Sequence, residues 1–147
     1  MDDGMREMLD RMAIREVLLR YAHAVDRRNL DMVAGCFTPD ASYRGSLGDG
    51  GIGQALASLK QRMARYDSTM HLIGNQFIEL AGDTAKSETY TLAYHRLNGE
   101  DEPNVLTVAV RYLDELIRQD GQWRIRAREV VQEWQRYDDV FLSPGTV

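Results

Sequence analysis

The chain has 147 residues, of which 44% are hydrophobic and 28% charged, values that are ordinary for a soluble globular protein. Its length fits one domain spanning residues 1–147, and its net charge of −5 leaves no surplus of Lys and Arg to neutralise nucleic-acid phosphates. No apolar run approaches the length of a membrane span, and the charged N-terminus lacks the apolar core of a secretory signal. We therefore expect a soluble cytoplasmic protein with neither a nucleic-acid nor a membrane partner.

The first half of the chain predicts three helices. From Met5 to Arg28, apolar residues recur at steps of three and four, opposite a charged face. Asn29 offers cap chemistry for a short second helix from Leu30 to Phe37, which Pro39 is expected to stop. A third helix is predicted over Gln54 to Tyr66.

Between the second and third helices the pattern changes twice. Asp40 to Gly45 is consistent with a short strand. The glycine-rich stretch from Gly45 to Gly53 predicts a flexible loop, which is either a lid or a simple linker.

Four extended segments follow, over Met70 to Leu80, Thr84 to Leu97, Asn104 to Arg118 and Trp123 to Tyr137. Short turns such as Asp120-Gly121 join them, and Asp-Gly between two extended runs is a strong hairpin signal. Long strands with short turns form an antiparallel meander, because parallel pairing needs long crossovers. Helices first and strands afterwards is the α+β pattern, with the helices packed on one face of the sheet.

Alternation along the strands predicts a pocket on one face of the sheet. One face of the first long strand carries His71, Ile73, Asn75 and Phe77. One face of the second carries Ser87, Thr89, Thr91, Ala93 and His95. Small residues that end in a histidine leave room for a ligand. Covered by a helix that bears Tyr21 and Asp26, such a face is a candidate binding pocket.

The candidate residues also have purely structural interpretations. Asp26 fits a solvated acid at a helix end, and His71 fits a core histidine with satisfied hydrogen bonds. Tyr43 and His95 fit ordinary packing positions. Three arginines at alternate positions fit a solvated basic stripe: Arg124, Arg126 and Arg128. The single cysteine, Cys36, excludes an internal disulfide, and histidines without HxH or HExxH spacing predict no metal site.

Four segments of the chain carry a family resemblance: Ile14 to Asp26, Phe37 to Tyr43, Met70-His71 and Asp120 to Ile125. Through them the chain resembles the SnoaL-like branch of the nuclear transport factor 2 superfamily over roughly residues 8–137. The resemblance implies a cone-shaped α+β barrel, in which three N-terminal helices cover a curved antiparallel sheet. The aspartate at the helix end and the histidine that opens the first long strand are its more specific features.

Within that branch, Asp26 and His71 match the catalytic dyad of scytalone dehydratase, hexachlorocyclohexane dehydrochlorinase and bile acid 7α-dehydratase. Tyr21 matches a tyrosine of the bile acid enzyme. Tyr43 and His95 match two pocket residues of scytalone dehydratase.

Two arginines are further substrate-binding candidates by the same resemblance. Arg128 falls where the dehydrochlorinase has its pocket arginine. An asparagine on the third strand of scytalone dehydratase has no clear counterpart in this chain, and Tyr112 or Arg111 lies near its place. Asn75 and Phe77 join the substrate-binding candidates because they are expected to share a face with His71.

The resemblance implies elimination or isomerisation without a cofactor. His71 would abstract a proton, Asp26 would orient it, and a tyrosine would donate a hydrogen bond to the developing oxyanion. His95 would protonate the leaving group. The implied substrate is a small hydrophobic compound of an aromatic, polyketide-like or steroid-like kind.

Other functions remain open for such a chain. A non-catalytic binding module, a subunit like the small subunit of a dioxygenase, a polyketide cyclase and an epoxide hydrolase share this fold, and the fold alone does not decide between them. An open curved sheet in so small a chain also predicts a homodimer or homotrimer.

Overall fold

The structure is a computed structural model that describes residues 2–98 and 103–140. The described helices are α1 Asp3–Asp26, α2 Leu30–Gly35 and α3 Ile52–Met63. The described strands are β1 Phe37–Gly45, β2 Gly48–Gly51, β3 Tyr66–Ala81, β4 Thr84–Leu97, β5 Val105–Gln119 and β6 Gln122–Asp138. They form one curved, unclosed sheet in the order β2-β1-β6-β5-β4-β3. The α+β class with N-terminal helices is confirmed.

The meander predicted for the second half is confirmed, because β3, β4, β5 and β6 pair in succession and antiparallel. The sheet departs from a purely antiparallel arrangement at one pair. β1 runs parallel to β6 and places Tyr43 opposite Arg128. The intervening chain contains α3 and three strands, so it is long enough for the crossover that parallel pairing requires.

The region around β1 corrects two predictions. Pro39 lies inside β1, within the irregular stretch between Phe37 and Ser42 where the pairing with β6 shifts, and a proline without an N–H is tolerated there. The glycine-rich stretch is not a simple loop, because Gly48–Gly51 forms β2 and pairs antiparallel with β1. Gly45 has a φ of 144°, and an added Cβ would lie 2.9 Å from the Cβ of Val130, so a side chain has no room there.

The core lies between α1 and the concave face of the sheet. The inward face of α1 buries Ile14, Val17, Leu18, Tyr21 and Val25. Asp10 of the same helix is also buried, and it accepts a hydrogen bond from Trp123 Nε1 at 3.0 Å and another from Arg118. This carboxylate ties the start of α1 to the β5–β6 hairpin.

Candidate active site

The end of α1 meets the middle of β3 at an Asp–His pair. His71 Nδ1 lies 2.7 Å from Asp26 Oδ1, and the backbone N–H of His71 donates to Asp26 Oδ2 at 2.8 Å. Both carboxylate oxygens are therefore bonded to one residue, which fixes the carboxylate against the imidazole ring. The His71 side chain is 9% exposed and the Asp26 side chain 21%.

Two further residues, Thr69 and Arg28, form a chain of hydrogen bonds that ends at the Asp26 carboxylate. Thr69 Oγ1 donates to Asp26 Oδ1 at 2.9 Å, and Arg28 Nη1 donates to Thr69 Oγ1, also at 2.9 Å. Arg28 also donates to the carbonyl oxygens of Val25 and Tyr66, at 3.3 Å each. A connected set of hydrogen bonds thus runs from the helix end through Thr69 to the carboxylate.

These contacts determine the charge of the carboxylate. Burial raises the pKa of Asp26, but hydrogen bonds from His71 and Thr69 outweigh burial and hold this pKa below its usual value. Asp26 is therefore ionised at neutral pH. A carboxylate accepts a hydrogen bond, so the neutral form of the His71 ring carries its hydrogen on Nδ1 and keeps the lone pair of Nε2 available.

The His71 ring lines a cavity of about 360 Å³ between the helices and the concave face of the sheet. Tyr21 reaches it from α1 and Tyr43 from β1, and Tyr112 reaches it from β5. Its other walls combine apolar side chains, such as Leu59, Met63 and Leu106, with the polar side chains of Arg62, Arg65, Gln132 and Gln135. The predicted face of β4 is partly confirmed, because Ala93 and His95 line the cavity while Thr89 and Thr91 are buried.

Tyr21, Tyr43 and Tyr112 are hydrogen-bond donors rather than phenolates at neutral pH. Burial raises the pKa of Tyr43 to about 12. Burial also raises the pKa values of Tyr21 and Tyr112, although the positive charge of Arg128 opposes the shift in both. Three protonated phenols thus surround the space in front of His71.

His95 lies on β4 beside the dyad, with its ring centroid 6.1 Å from that of His71 and 4.6 Å from that of Tyr66. Burial, reinforced by the proximity of His71, lowers the pKa of His95 to about 4. His95 is therefore neutral, and its Nδ1 lies 3.3 Å from the carbonyl oxygen of Leu106. The N–H is used in that contact, so the free Nε2 is an acceptor. This argues against the expected role of His95 as a proton donor to a leaving group.

Arg128 is fully buried rather than part of a solvated stripe. It forms two parallel hydrogen bonds to Asp114, Nε–Oδ1 at 2.7 Å and Nη2–Oδ2 at 2.8 Å, and neither side chain is exposed. Its guanidinium carbon lies 4.3 Å from the ring centroid of Tyr21 and 4.1 Å from that of Tyr112. Arg128 thus sits behind the tyrosines, one layer away from the cavity surface.

A register shift explains the buried arginine. The pairing of β5 with β6 slips between Glu115 and Leu116, which face Ala127 and Ile125 respectively. The extra residue in β6 is Arg126, and it breaks the alternation so that Ile125 and Arg128 are both buried. The stripe interpretation is therefore wrong for Arg128.

A second register shift corrects the face assigned to the end of β3. The pairing with β4 slips between Ile73 and Gln76, so Gly74 and Asn75 form a bulge. Beyond it the faces exchange, and Phe77 is 69% exposed on the outer side of the sheet. The prediction that Asn75 and Phe77 share the face of His71 is wrong.

Arg111 also lies outside the cavity. It is on the outer face, where it pairs with Glu88 at 2.9 Å and with Glu133. Neighbouring residues of β5 at alternate positions, Val110 and Tyr112, face the cavity instead. Among the residues that the structure describes, no group of three or more His, Cys, Asp or Glu side chains is placed to hold a metal ion.

Sequence reasoning missed three residues of this site: Arg28, Thr69 and Asp114. Thr69 lies two residues before His71, on the same face of β3, which was a usable signal. Arg28 and Asp114 have no such signal, because their partners are 41 and 14 residues away in the chain.

The fold and the site together define a class of small α+β proteins with a pocket between the helices and a curved sheet. A family model described as the SnoaL-like domain matches residues 6–129. An uncharacterized protein of Mycobacterium tuberculosis is 33% identical over 125 residues, which cover 83% of this chain and 84% of that protein. The chain belongs to the SnoaL-like family, as the resemblance predicted.

Solved structures share the fold. A hexachlorocyclohexane dehydrochlorinase gives a TM-score of 0.84 at 22% identity and covers 98% of this chain and 100% of its own. A candidate scytalone dehydratase from Novosphingobium aromaticivorans gives a TM-score of 0.81 at 21% identity and covers 92% and 91%. At these identities the likeness concerns the fold alone. None of the described helices is long and apolar enough to span a membrane.

Proposed function

We propose that the protein is a cofactor-independent lyase or isomerase that uses His71 as its general base. One observation carries this proposal: His71 Nδ1 lies 2.7 Å from the ionised Asp26 inside a partly apolar cavity, so the other ring nitrogen is available to a ligand. A base must be within reach of the proton that it removes, and an oriented imidazole with a free ring nitrogen meets that need.

The reaction would begin at a carbon made acidic by a neighbouring carbonyl or leaving group. His71 Nε2 takes the proton, and Asp26 stabilises the imidazolium that forms. The electron pair left on carbon either moves into a carbonyl to form an enolate or expels a leaving group from the adjacent carbon. Tyr21 and Tyr43 remain protonated and donate hydrogen bonds to the oxygen that gains charge.

In this proposal His95 is a hydrogen-bond acceptor and not the proton donor that the resemblance implies. Its neutral ring uses one nitrogen toward Leu106 and offers the other as an acceptor. It would therefore accept a hydrogen bond from a substrate hydroxyl and fix the orientation of the ring that carries it. Protonation of a leaving group falls instead to the His71 imidazolium or to a tyrosine.

The cavity limits the substrate. A volume of about 360 Å³ is at the small end of the usual range for ligand pockets, so compact ring compounds fit better than extended ones. Apolar side chains in the lining suit a hydrophobic ring, and polar ones such as Arg62 and Gln132 suit an oxygen substituent on that ring. Both properties support a small hydrophobic hydroxy-ketone or related cyclic compound.

The test is turnover of a panel of cyclic hydroxy-ketones by the wild-type protein and three variants. Asp26→Asn and His71→Ala should each reduce the rate by about 10²–10⁴-fold, the usual contribution of a general base. His23→Ala is the matched control, because His23 is exposed on the same helix as Asp26, and its rate should be unchanged. Full turnover in both dyad variants would refute the proposal.

Binding without turnover in the wild-type protein would favour the alternative of a non-catalytic module. The expected homodimer or homotrimer stays a prediction. The outer face of the sheet, which exposes Leu72, Phe77, Tyr90 and Trp134, is the surface on which we expect such association.

A further inference from the structure

The residue two positions after α1 has an unusual backbone. Arg28 has a φ of 60°, in the left-handed region that favours glycine. Its N–H donates to the carbonyl of Val25 at 3.1 Å, and the N–H of Asn29 donates to that of Ala24 at 2.9 Å. This pair of bonds is the Schellman motif, whose left-handed position is usually glycine. An arginine therefore occupies a place that the backbone alone would assign to glycine.

The side chain of Arg28 connects the helix end to the start of β3. Its Nη1 donates to Thr69 Oγ1 at 2.9 Å, and its Nη2 donates to the carbonyl of Tyr66 at 3.3 Å. A threonine hydroxyl has a single hydrogen to donate. Because Arg28 is itself a donor only, the Thr69 hydrogen is directed away from it and onto Asp26 Oδ1, 2.9 Å away.

The same oxygen of Asp26 is the partner of the His71 ring. The orientation of the carboxylate and the charge that it presents to the imidazole therefore depend on Thr69, and through Thr69 on Arg28. The Arg28 cation is separated from the carboxylate by two hydrogen bonds of 2.9 Å each. A positive charge at that range stabilises the carboxylate and disfavours a second positive charge on His71.

We propose that Arg28 is a positioning residue of the Asp26–His71 dyad, acting through the hydroxyl of Thr69. The alternative is that Arg28 only caps the helix through the carbonyl oxygen of Val25 and ties the helix end to β3 through that of Tyr66. The two roles differ in their dependence on Thr69, because a cap that affects His71 only through its charge gives the same pKa change with or without the Thr69 hydroxyl. The catalytic consequence rests on the proposed function, whereas the effect on the His71 ring does not.

Other groups also face His71 and are unchanged by the test. They are Tyr21 from α1, Tyr43 from β1, Arg62 from α3, Arg65 from the turn after α3, Tyr66 from β3, His95 from β4 and Tyr112 from β5. Since they are present in every variant, differences between variants report Arg28 and Thr69.

The experiment is an NMR titration of the His71 ring in the wild-type protein, Arg28→Gly, Thr69→Val and the double variant. Glycine adopts the left-handed backbone without strain, so Arg28→Gly keeps the helix end in place. Each single change should raise the pKa of His71 by about half a pH unit, because a cation or a competing hydrogen bond is removed from the carboxylate. Arg27→Gln removes one exposed neighbouring charge and is the control, with a much smaller shift expected.

Action through Thr69 predicts that the two changes are not additive. In the Thr69→Val background, Arg28→Gly should move the His71 pKa by less than half of its effect in the wild-type protein. An unchanged His71 pKa in Arg28→Gly, or a shift equal to that of Arg27→Gln, would overturn the positioning role even where His71→Ala abolishes turnover. A shifted pKa in a protein that turns over no substrate would overturn the proposed function and leave the positioning role standing.

Discussion

The protonation state of His95 provides the sharpest quantitative prediction, because one ring decides both the acid stability and the hydrogen bonding of the cavity. In the folded protein, burial and the neighbouring His71 lower the pKa of His95 from 6.5 to about 4. This shift corresponds to about 3 kcal/mol, and partial exposure to solvent reduces the expected effect to about 2 kcal/mol.

The sign follows from comparing the two states. Above pH 6.5 the ring is neutral in both the folded and the unfolded chain, so it contributes nothing to the pH dependence. Between pH 6.5 and about 4, His95 takes up a proton in the unfolded chain but stays neutral in the folded one. The free energy of unfolding therefore falls as the pH falls. The loss attributed to Asp26 comes at lower pH, because the hydrogen bonds from His71 and Thr69 hold the pKa of Asp26 below its ordinary value.

The assay is urea unfolding of the wild-type protein and His95→Gln at pH 7 and pH 4.5, followed by tryptophan fluorescence. Glutamine keeps an N–H for the carbonyl of Leu106 but does not titrate. The wild-type protein should lose up to about 2 kcal/mol more than the variant over this range. Equal losses in the two proteins, or an NMR titration in which His95 takes up its proton near pH 6.5, would refute the reasoning.

Two further predictions concern buried charges and use the same urea assay at pH 7. Asp114→Asn leaves Arg128 buried without its counter-charge and should lower the free energy of unfolding by about 3–5 kcal/mol. Most of this loss should be recovered in the double variant that also carries Arg128→Met. A double variant no more stable than Asp114→Asn alone would contradict this prediction. Asp10→Ala removes the acceptor of Trp123 and Arg118 and should cost about 1–3 kcal/mol, whereas the exposed partner change Asp83→Ala should cost less than about 1 kcal/mol. Equal costs at Asp10 and Asp83 would show that burial is not the cause.

The elements predicted best were those with a local cause. The bounds of β4 match the prediction, and β5 and β6 differ from it by one residue at each end. Alternation and an Asp-Gly turn act within a few residues, so they are readable in the sequence. The strand β1 was predicted to be shorter and its parallel partner was not predicted, because the pairing joins residues more than 80 positions apart.

The residues predicted for the site also divide into those that the structure places together and those that a change of strand register separates. Asp26 and His71 were placed together by resemblance, and the structure has them in hydrogen-bond contact. Asn75 and Phe77 were placed with them by alternation, and one bulge put them on the other side of the sheet. A one-residue slip moves every later residue of a strand to the opposite face of the sheet. A face can therefore be assigned correctly only where the strand register is known.

By itself the sequence determined the order of the three helices and of every described strand except β2, the single imidazole on β3 and the carboxylate at the end of α1. These depend on residue types and periodicity, which are local properties of the chain. Only the tertiary structure decided that Arg128 is buried against Asp114, that Arg28 reaches Asp26 through Thr69, and that His95 is neutral. Burial and distance set charge and hydrogen bonding, and both arise only when segments far apart in the chain come together.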